Sequence, residues 1–149
     1  MTTKIQKVLL TGKSQTMASR GAGAARGDDR VDIQLSTPGN AANDIAFTAI
    51  AMHPTAEQLF AGAWSACYTG ALALVAQSKK VALPPDTSVE IEVDLGMTGE
   101  HYFIQARMDV RLPGLPLDTA RAIVHEAHGV CPYSKAVHGN IHVATNVVA

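Results

Sequence analysis

Two cysteines could carry chemistry in this chain of 149 residues, Cys67 and Cys131. A thiolate that attacks a peroxide becomes a sulfenic acid, and a second thiol nearby condenses with that acid to form a disulfide. Two cysteines are the minimum that this cycle needs. Pro132 predicts that a short helix starts beside Cys131, and a helix N-terminus lowers the pKa of a thiol. The competing interpretation of Cys67 alone is a small, inert core residue, the common role of a free cysteine.

Cys67 must be positioned by the apolar segment of residues 53–80. Thr55 and Gln58 have the spacing of a capping box, and apolar residues recur after them at helical spacing. Residues 59–78 carry no charge, so this stretch is also long enough to cross a membrane. Its glycines and its hydroxyl and amide side chains argue against a membrane span. We therefore predict a buried helix that is apolar on nearly every face.

Such a helix is hard to bury within one chain of this length, because a sheet covers only one of its sides. The simplest arrangement is a homodimer with the long helices at its centre. Each chain is expected to form a single domain, residues 1–149.

The other elements predict an α+β chain in the order strands, long helix, hairpin, helix, strand. Alternation and turn residues place strands at 5–10, 31–35, 89–95, 102–112 and 141–148, and helices at 118–129, N-capped by Asp118, and 132–137. Ala122, Ile123 and Ala127 are expected on the inward face of the first of these helices. Residues 11–29 are polar and predict a loop or ragged hairpin. Residues 43–52 fit either a strand or a loop over a pocket.

The composition excludes some classes of partner. With 12 basic and 13 acidic residues the chain has no basic stripe, so nucleic acid is not implied. The first residues lack the long apolar core and cleavage site of a signal peptide. We therefore expect a cytoplasmic protein with no membrane partner and no cofactor. In that reducing compartment two cysteines are more often catalytic than structural.

Several segments resemble the organic hydroperoxide resistance (Ohr) branch of the OsmC/Ohr family. They are EQLFAGAWSAC at 57–67, VCPYSKA at 130–136, GNI at 139–141, DIQLS at 32–36 and LPG at 112–114. The resemblance runs from about residue 20 to the end of the chain. Its Cys-Pro-Tyr-Ser sequence favours the Ohr branch over the OsmC branch.

The resemblance implies an OsmC-like intertwined homodimer in which antiparallel sheets wrap two long central helices. It also implies a peroxidase that reduces organic hydroperoxides to alcohols and is recycled by a lipoylated protein or another dithiol. Cys67 matches the peroxidatic cysteine and Cys131 the resolving cysteine. Glu57 and Arg20 match the glutamate and arginine of the family, with Arg26 as the alternative arginine.

These residue types suit the chemistry. A guanidinium near Cys67 would stabilise its thiolate and donate to the peroxide oxygens, and a carboxylate would hold that guanidinium. The apolar residues expected to form the substrate pocket are Phe47, Ile50, Phe60 and Trp64, the last standing where the family usually has tyrosine. Glu57 precedes Cys67 by ten residues, so either it serves the partner chain, or a kink or a loop before the helix folds it back onto its own Cys67.

Two other functions remain open. His125, His128 and Cys131 are spaced three and three apart, as ligands of a metal site could be, although Pro132 breaks the helix beside the cysteine. Two histidines on an amphipathic helix more often lie on a solvated face, and no metal is expected. The second alternative is a non-catalytic module of the same fold that holds an apolar ligand, because fold alone does not give function.

Overall fold

The computed structural model describes Thr2, residues 4–17 and residues 54–149. Several sequence predictions fall outside these residues: the strand at 31–35, the segment 43–52, and the candidate residues Arg20, Arg26, Phe47 and Ile50.

The described residues form one four-stranded sheet and three helices. In chain order the elements are β1 (Lys7–Met17), α1 (Ala56–Ser78), β2 (Ser88–Thr98), β3 (His101–Arg111), α2 (Leu117–Val130), α3 (Pro132–Val137) and β4 (His142–Val148). The strand order is β1-β2-β3-β4, with β1–β2 and β2–β3 antiparallel and β3–β4 parallel. The predicted α+β class is confirmed. The prediction of a purely antiparallel sheet is wrong, because the chain crosses over through α2 and α3 and β4 returns parallel to β3.

The core lies between one face of the sheet and the helices. The register pairs three sets of residues that are at most 1% exposed: Val89 with Val110, Ile91 with Met108, and Val93 with Ala106. The alternation predicted for these strands is therefore confirmed. Both strands extend beyond the predicted hairpin boundary, because Thr98 still pairs with His101 and only Gly99 and Glu100 form the turn. Gly99 has a φ of +60°, which favours glycine there.

A polar cluster on the opposite face links three strands. The carboxylate of Asp94, which is 1% exposed, accepts hydrogen bonds from Thr11 in β1 and from Gln105 and Arg107 in β3. Burial raises the pKa of Asp94, but the bonds from Arg107, Thr11 and Gln105 outweigh burial and hold the pKa at about 2. Through Thr11, the cluster adds a side-chain link from β1 to β2 beside the backbone pairing of the two strands.

The capping box of α1 is confirmed. The backbone N–H of Gln58 donates to Thr55 Oγ1 at 3.2 Å, and the N–H of Thr55 donates to Gln58 Oε1 at 3.0 Å. By length and composition α1 could span a membrane. It packs one face against the sheet and α2, whereas Leu74 on the other face is 59% exposed. The predicted burial on most faces is therefore not met within the single chain.

Three further sequence predictions are wrong. Residues 11–17 are not a loop, because β1 pairs with β2 as far as Met17, and the rest of the predicted loop or ragged hairpin, residues 18–29, lies outside the described residues. The N-cap of α2 is Pro116 and not Asp118, which lies in the first turn, where the helix dipole still favours an acid. Ala122 is exposed and not inward, whereas Ile123 and Ala127 are buried as predicted.

Gly12 sets the separation between β1 and the start of α1. A Cβ atom at this position would lie 2.5 Å from Glu57 Cβ and 2.5 Å from the backbone nitrogen of Gln58. A backbone cannot give way as a flexible side chain can, so only glycine fits without moving the helix.

We predict that Gly12→Ala lowers the free energy of unfolding by about 1–3 kcal/mol, the usual cost of overpacking. Gly129→Ala is the matched control, because its Cβ would meet nothing within 4 Å and alanine is the better helix former. That variant should gain stability, by up to about 1 kcal/mol. Urea unfolding measures both, and a Gly12→Ala protein as stable as the wild type would show that the close approach is not needed.

Candidate active site

The fold brings the two cysteines together. Cys67 lies in the middle of α1, Cys131 lies buried between α2 and α3, and their Sγ atoms are 3.2 Å apart. Both are free thiols. Because a disulfide bond is about 2.05 Å long, the sulfur atoms need to approach by only about 1 Å to form one.

The start of α3 directs backbone N–H groups at both sulfur atoms. Cys131 is the N-cap of α3, and the N–H of Ser134 donates to its Sγ at 3.4 Å. The N–H of Tyr133 donates to Cys67. Pro132 occupies the first helical position, where no N–H is needed. Such donors stabilise a thiolate more than a thiol, so the arrangement favours negative charge on sulfur.

The balance at Cys67 nevertheless favours the neutral thiol. Burial raises the pKa of Cys67, the N–H of Tyr133 lowers it, and the neighbouring Cys131 raises it, so the net shift is upward. In residues 4–17 and 54–149 no cation contributes to this shift. Within the described residues, the surroundings of Cys67 therefore do not by themselves favour its thiolate.

Two hydrogen bonds join α1 to the α2–α3 segment on either side of Cys67. Trp64 Nε1 donates to Ser134 Oγ at 3.0 Å, and the Tyr68 hydroxyl donates to the carbonyl of Val124 at 2.6 Å. Both aromatic side chains are fully buried. Sequence reasoning missed Ser134, although a buried tryptophan requires an acceptor for its N–H and this serine follows the cysteine by three residues.

The same serine contacts His128 in α2. Ser134 Oγ lies 3.3 Å from His128 Nδ1, and Thr145 Oγ1 in β4 lies 3.3 Å from Nε2. Burial lowers the pKa of His128, as do the nearby imidazoles of His125 and His138. The neutral ring can accept from one hydroxyl and donate to the other.

The proposed metal ligands do not converge. His125 is exposed, His128 faces Ser134 and Thr145, and the sulfur of Cys131 faces Cys67. Within the part of the chain that the structure describes, no three His, Cys, Asp or Glu side chains could hold a metal ion.

A cavity of about 1030 Å³ borders this region and is lined by Trp64, His125, His128, Ser134, His138 and His142, among other residues.

The remaining sequence candidates lie toward the start of α1. Phe60 is half-buried and contacts Trp64 edge to face, with ring centroids 5.9 Å apart. Their role as pocket walls stays a prediction.

Glu57 lies in the first turn of α1, against Gly12. The helix is uninterrupted from there to Cys67, so ten residues separate them by about 15 Å along the axis. Neither a kink nor a loop before the helix folds Glu57 back onto its own Cys67, so that alternative is wrong.

We predict that His128 makes stability depend on pH. Its folded pKa lies below the unfolded value of about 6.5, so between these two values the unfolded chain binds more protons. The free energy of unfolding should therefore fall as the pH drops from about 7 through the folded pKa. His128→Gln should remove this dependence, whereas His101→Gln, at the exposed start of β3, should retain it. Urea unfolding between pH 7.5 and 5 measures the slope, and equal slopes for the two variants would contradict the assignment.

Comparison with known proteins identifies the family of this chain. Residues 49–146 match the family model described as OsmC-like protein. An organic hydroperoxide resistance protein from Xanthomonas axonopodis pv. citri is 35% identical over 141 residues, which cover 93% of this chain and 94% of the relative.

Two solved structures have the same fold. An organic hydroperoxide resistance protein from Legionella pneumophila is 35% identical with a TM-score of 0.62, over 68% of this chain and 74% of that one. Another, from Elizabethkingia anophelis, is 26% identical with a TM-score of 0.69, over 97% of this chain and 99% of that one. The chain therefore belongs to the OsmC-like family, as its cysteine segments predicted.

Proposed function

We propose that this protein is a thiol peroxidase that reduces organic hydroperoxides to alcohols. The observation that carries the proposal is the 3.2 Å distance between the sulfur atoms of Cys67 and Cys131 in two free thiols. Relatives named organic hydroperoxide resistance protein support the substrate class.

The proposed cycle has three steps. The thiolate of Cys67 attacks the outer peroxide oxygen, the O–O bond breaks, and the alkoxide takes a proton to leave as the alcohol. The thiol of Cys131 then attacks the resulting sulfenic acid, which gives the disulfide and water. A dithiol such as a dihydrolipoyl group on a protein restores both thiols by exchange and leaves as its own disulfide. Such a cycle requires no cofactor and fits the reducing cytoplasm.

Activation of Cys67 is assigned to Arg20. The described surroundings of the sulfur raise the pKa of Cys67, so a guanidinium would supply the charge that favours the thiolate.

Phe47 and Ile50 would complete an apolar pocket with Phe60 and Trp64. Burial of an organic substrate there would contribute roughly 25 cal/mol of binding free energy per Å² of apolar surface.

We also propose a homodimer that packs the outward faces of two α1 helices together. That face combines small and apolar exposed residues: Ala63, Ala66, Gly70, Ala73 and Leu74. Small residues allow close helix approach, and an exposed apolar stripe of this kind favours a self-complementary contact. If the two helices run antiparallel, Glu57 of one chain approaches the middle of the other, where Cys67 lies. Glu57 would then hold Arg20 of the partner site.

The two cysteines should differ in the step they support. Cys67→Ser should abolish reduction of cumene hydroperoxide, because it removes the nucleophile. Cys131→Ser should allow one turnover and then stop, because the sulfenic acid has no internal thiol to resolve it. Rapid-quench measurement of cumyl alcohol per protein, with dihydrolipoamide as reductant, separates the two outcomes. Normal cycling by both variants would rule out the thiol mechanism and leave a non-catalytic binding module.

The dimer makes a prediction for mixed chains. Combine a Glu57→Gln chain with a Cys67→Ser chain and purify the heterodimer with two different affinity tags. If Glu57 acts on the partner, one site has an intact Cys67 and an intact glutamate, so activity should be about half that of the wild type. If Glu57 acts within its own chain, neither site is complete and the heterodimer should have almost no activity. Both homodimers serve as controls and should be nearly inactive.

A further inference from the structure

A buried junction between α1 and α3 lies beside the thiol pair. Ser134 Oγ accepts the indole N–H of Trp64 at 3.0 Å and lies 3.3 Å from Nδ1 of His128. Ser134 is 5% exposed and Trp64 is fully buried. The backbone N–H of the same serine donates to the sulfur of Cys131. One residue thus connects the helix that carries Cys67 to the sulfur of Cys131.

The short helix α3 depends on such a contact. It has only six residues, and an isolated helix of that length is not stable in water. Loss of the bond to Trp64 would let its first turn fray, and the N–H groups of Tyr133 and Ser134 would leave the two sulfurs. Trp64 precedes Cys67 by three residues on α1, so the bond fixes α3 close to the reacting atoms.

We propose that Trp64 and Ser134 are positioning residues for the resolving thiol, which they hold within reach of the sulfenic acid at Cys67. The proposal rests on the peroxidase function above. In the step concerned, the sulfur of Cys131 attacks the sulfur of Cys67, the S–O bond breaks, and hydroxide leaves as water with the thiol proton. A misplaced Cys131 slows this step and lets a second hydroperoxide oxidise Cys67 to the sulfinic acid. This role differs from a place in the pocket wall, because it acts on resolution rather than on substrate binding.

The test follows both oxidation steps in the full-length protein. Reduced protein receives one equivalent of cumene hydroperoxide and is quenched over time with dimedone, which labels sulfenic acid, and with an alkylating agent. Intact mass then gives the amounts of thiol, sulfenic acid, disulfide and sulfinic acid. The variants are Ser134→Ala, Trp64→Phe and their combination. Ser78→Ala is the control, because that exposed serine bonds only to a carbonyl at the far end of α1.

Ser134→Ala and Trp64→Phe should each lower the ratio of the disulfide-forming rate to the sulfenic-acid-forming rate by about 10-fold, the factor expected from a lost buried hydrogen bond. Sulfinic acid should accumulate with excess hydroperoxide. Because both substitutions remove the same bond, the double variant should be no slower than the slower single variant. Ser78→Ala should match the wild type.

Three results would overturn the proposal: resolution at the wild-type ratio in both single variants, effects that multiply in the double variant, or a loss of disulfide that only follows the unfolded fraction measured by circular dichroism. Trp64→Phe keeps an aromatic ring at this position but removes the indole N–H, so it tests the same bond if Ser134→Ala folds poorly. A wild-type protein in which the hydroperoxide leaves Cys67 unoxidised would instead refute the proposed function.

Discussion

The two hydrogen bonds that flank Cys67 on α1 are the constraint on which the site depends. Trp64 donates to Ser134 and Tyr68 donates to the carbonyl of Val124, so α1 is fixed to α3 and to α2 on either side of the cysteine. Each donor is buried, and leaving one without its acceptor costs about 1–3 kcal/mol. These bonds therefore help to hold the segment that carries Cys131 against α1, where the two sulfurs lie 3.2 Å apart.

The same burial creates an electrostatic problem. An apolar environment suits an organic substrate, but it also raises the pKa of Cys67. The backbone N–H of Tyr133 at the start of α3 opposes that effect without reversing it. In the proposed mechanism Arg20 supplies the charge that favours the thiolate, and a buried guanidinium in turn requires a carboxylate. This is the physical reason to expect Arg20 and Glu57 to act together. Because Glu57 lies about 15 Å along the helix from the cysteine of its own chain, we expect it to act at the site of the partner chain.

Much of this could be predicted from the sequence, because the strongest local signals agree with the packing. The capping box at Thr55, the alternation in β2 and β3, and Pro132 at the start of α3 all appear where expected. The misses have physical causes. Polar residues in β1 look like a loop because one face of the strand meets solvent, and its pairing with β2 cannot be read locally. The parallel strand β4 depends on a crossover, which is a property of the whole chain. The cluster around Asp94 and the junction at Ser134 join residues that are far apart in sequence. No local sequence pattern therefore predicts these contacts.

The product formed when one equivalent of cumene hydroperoxide reacts with the reduced wild-type protein is the sharpest test of the paired-thiol mechanism. Peptide mapping by mass spectrometry without a reducing agent reports which sulfurs are joined, and mixing with isotope-labelled chains distinguishes links within a chain from links between chains. We predict one molecule of cumyl alcohol per chain and a single disulfide between Cys67 and Cys131 of the same chain. A disulfide between two chains as the main product, or thiols that survive the hydroperoxide, would contradict it.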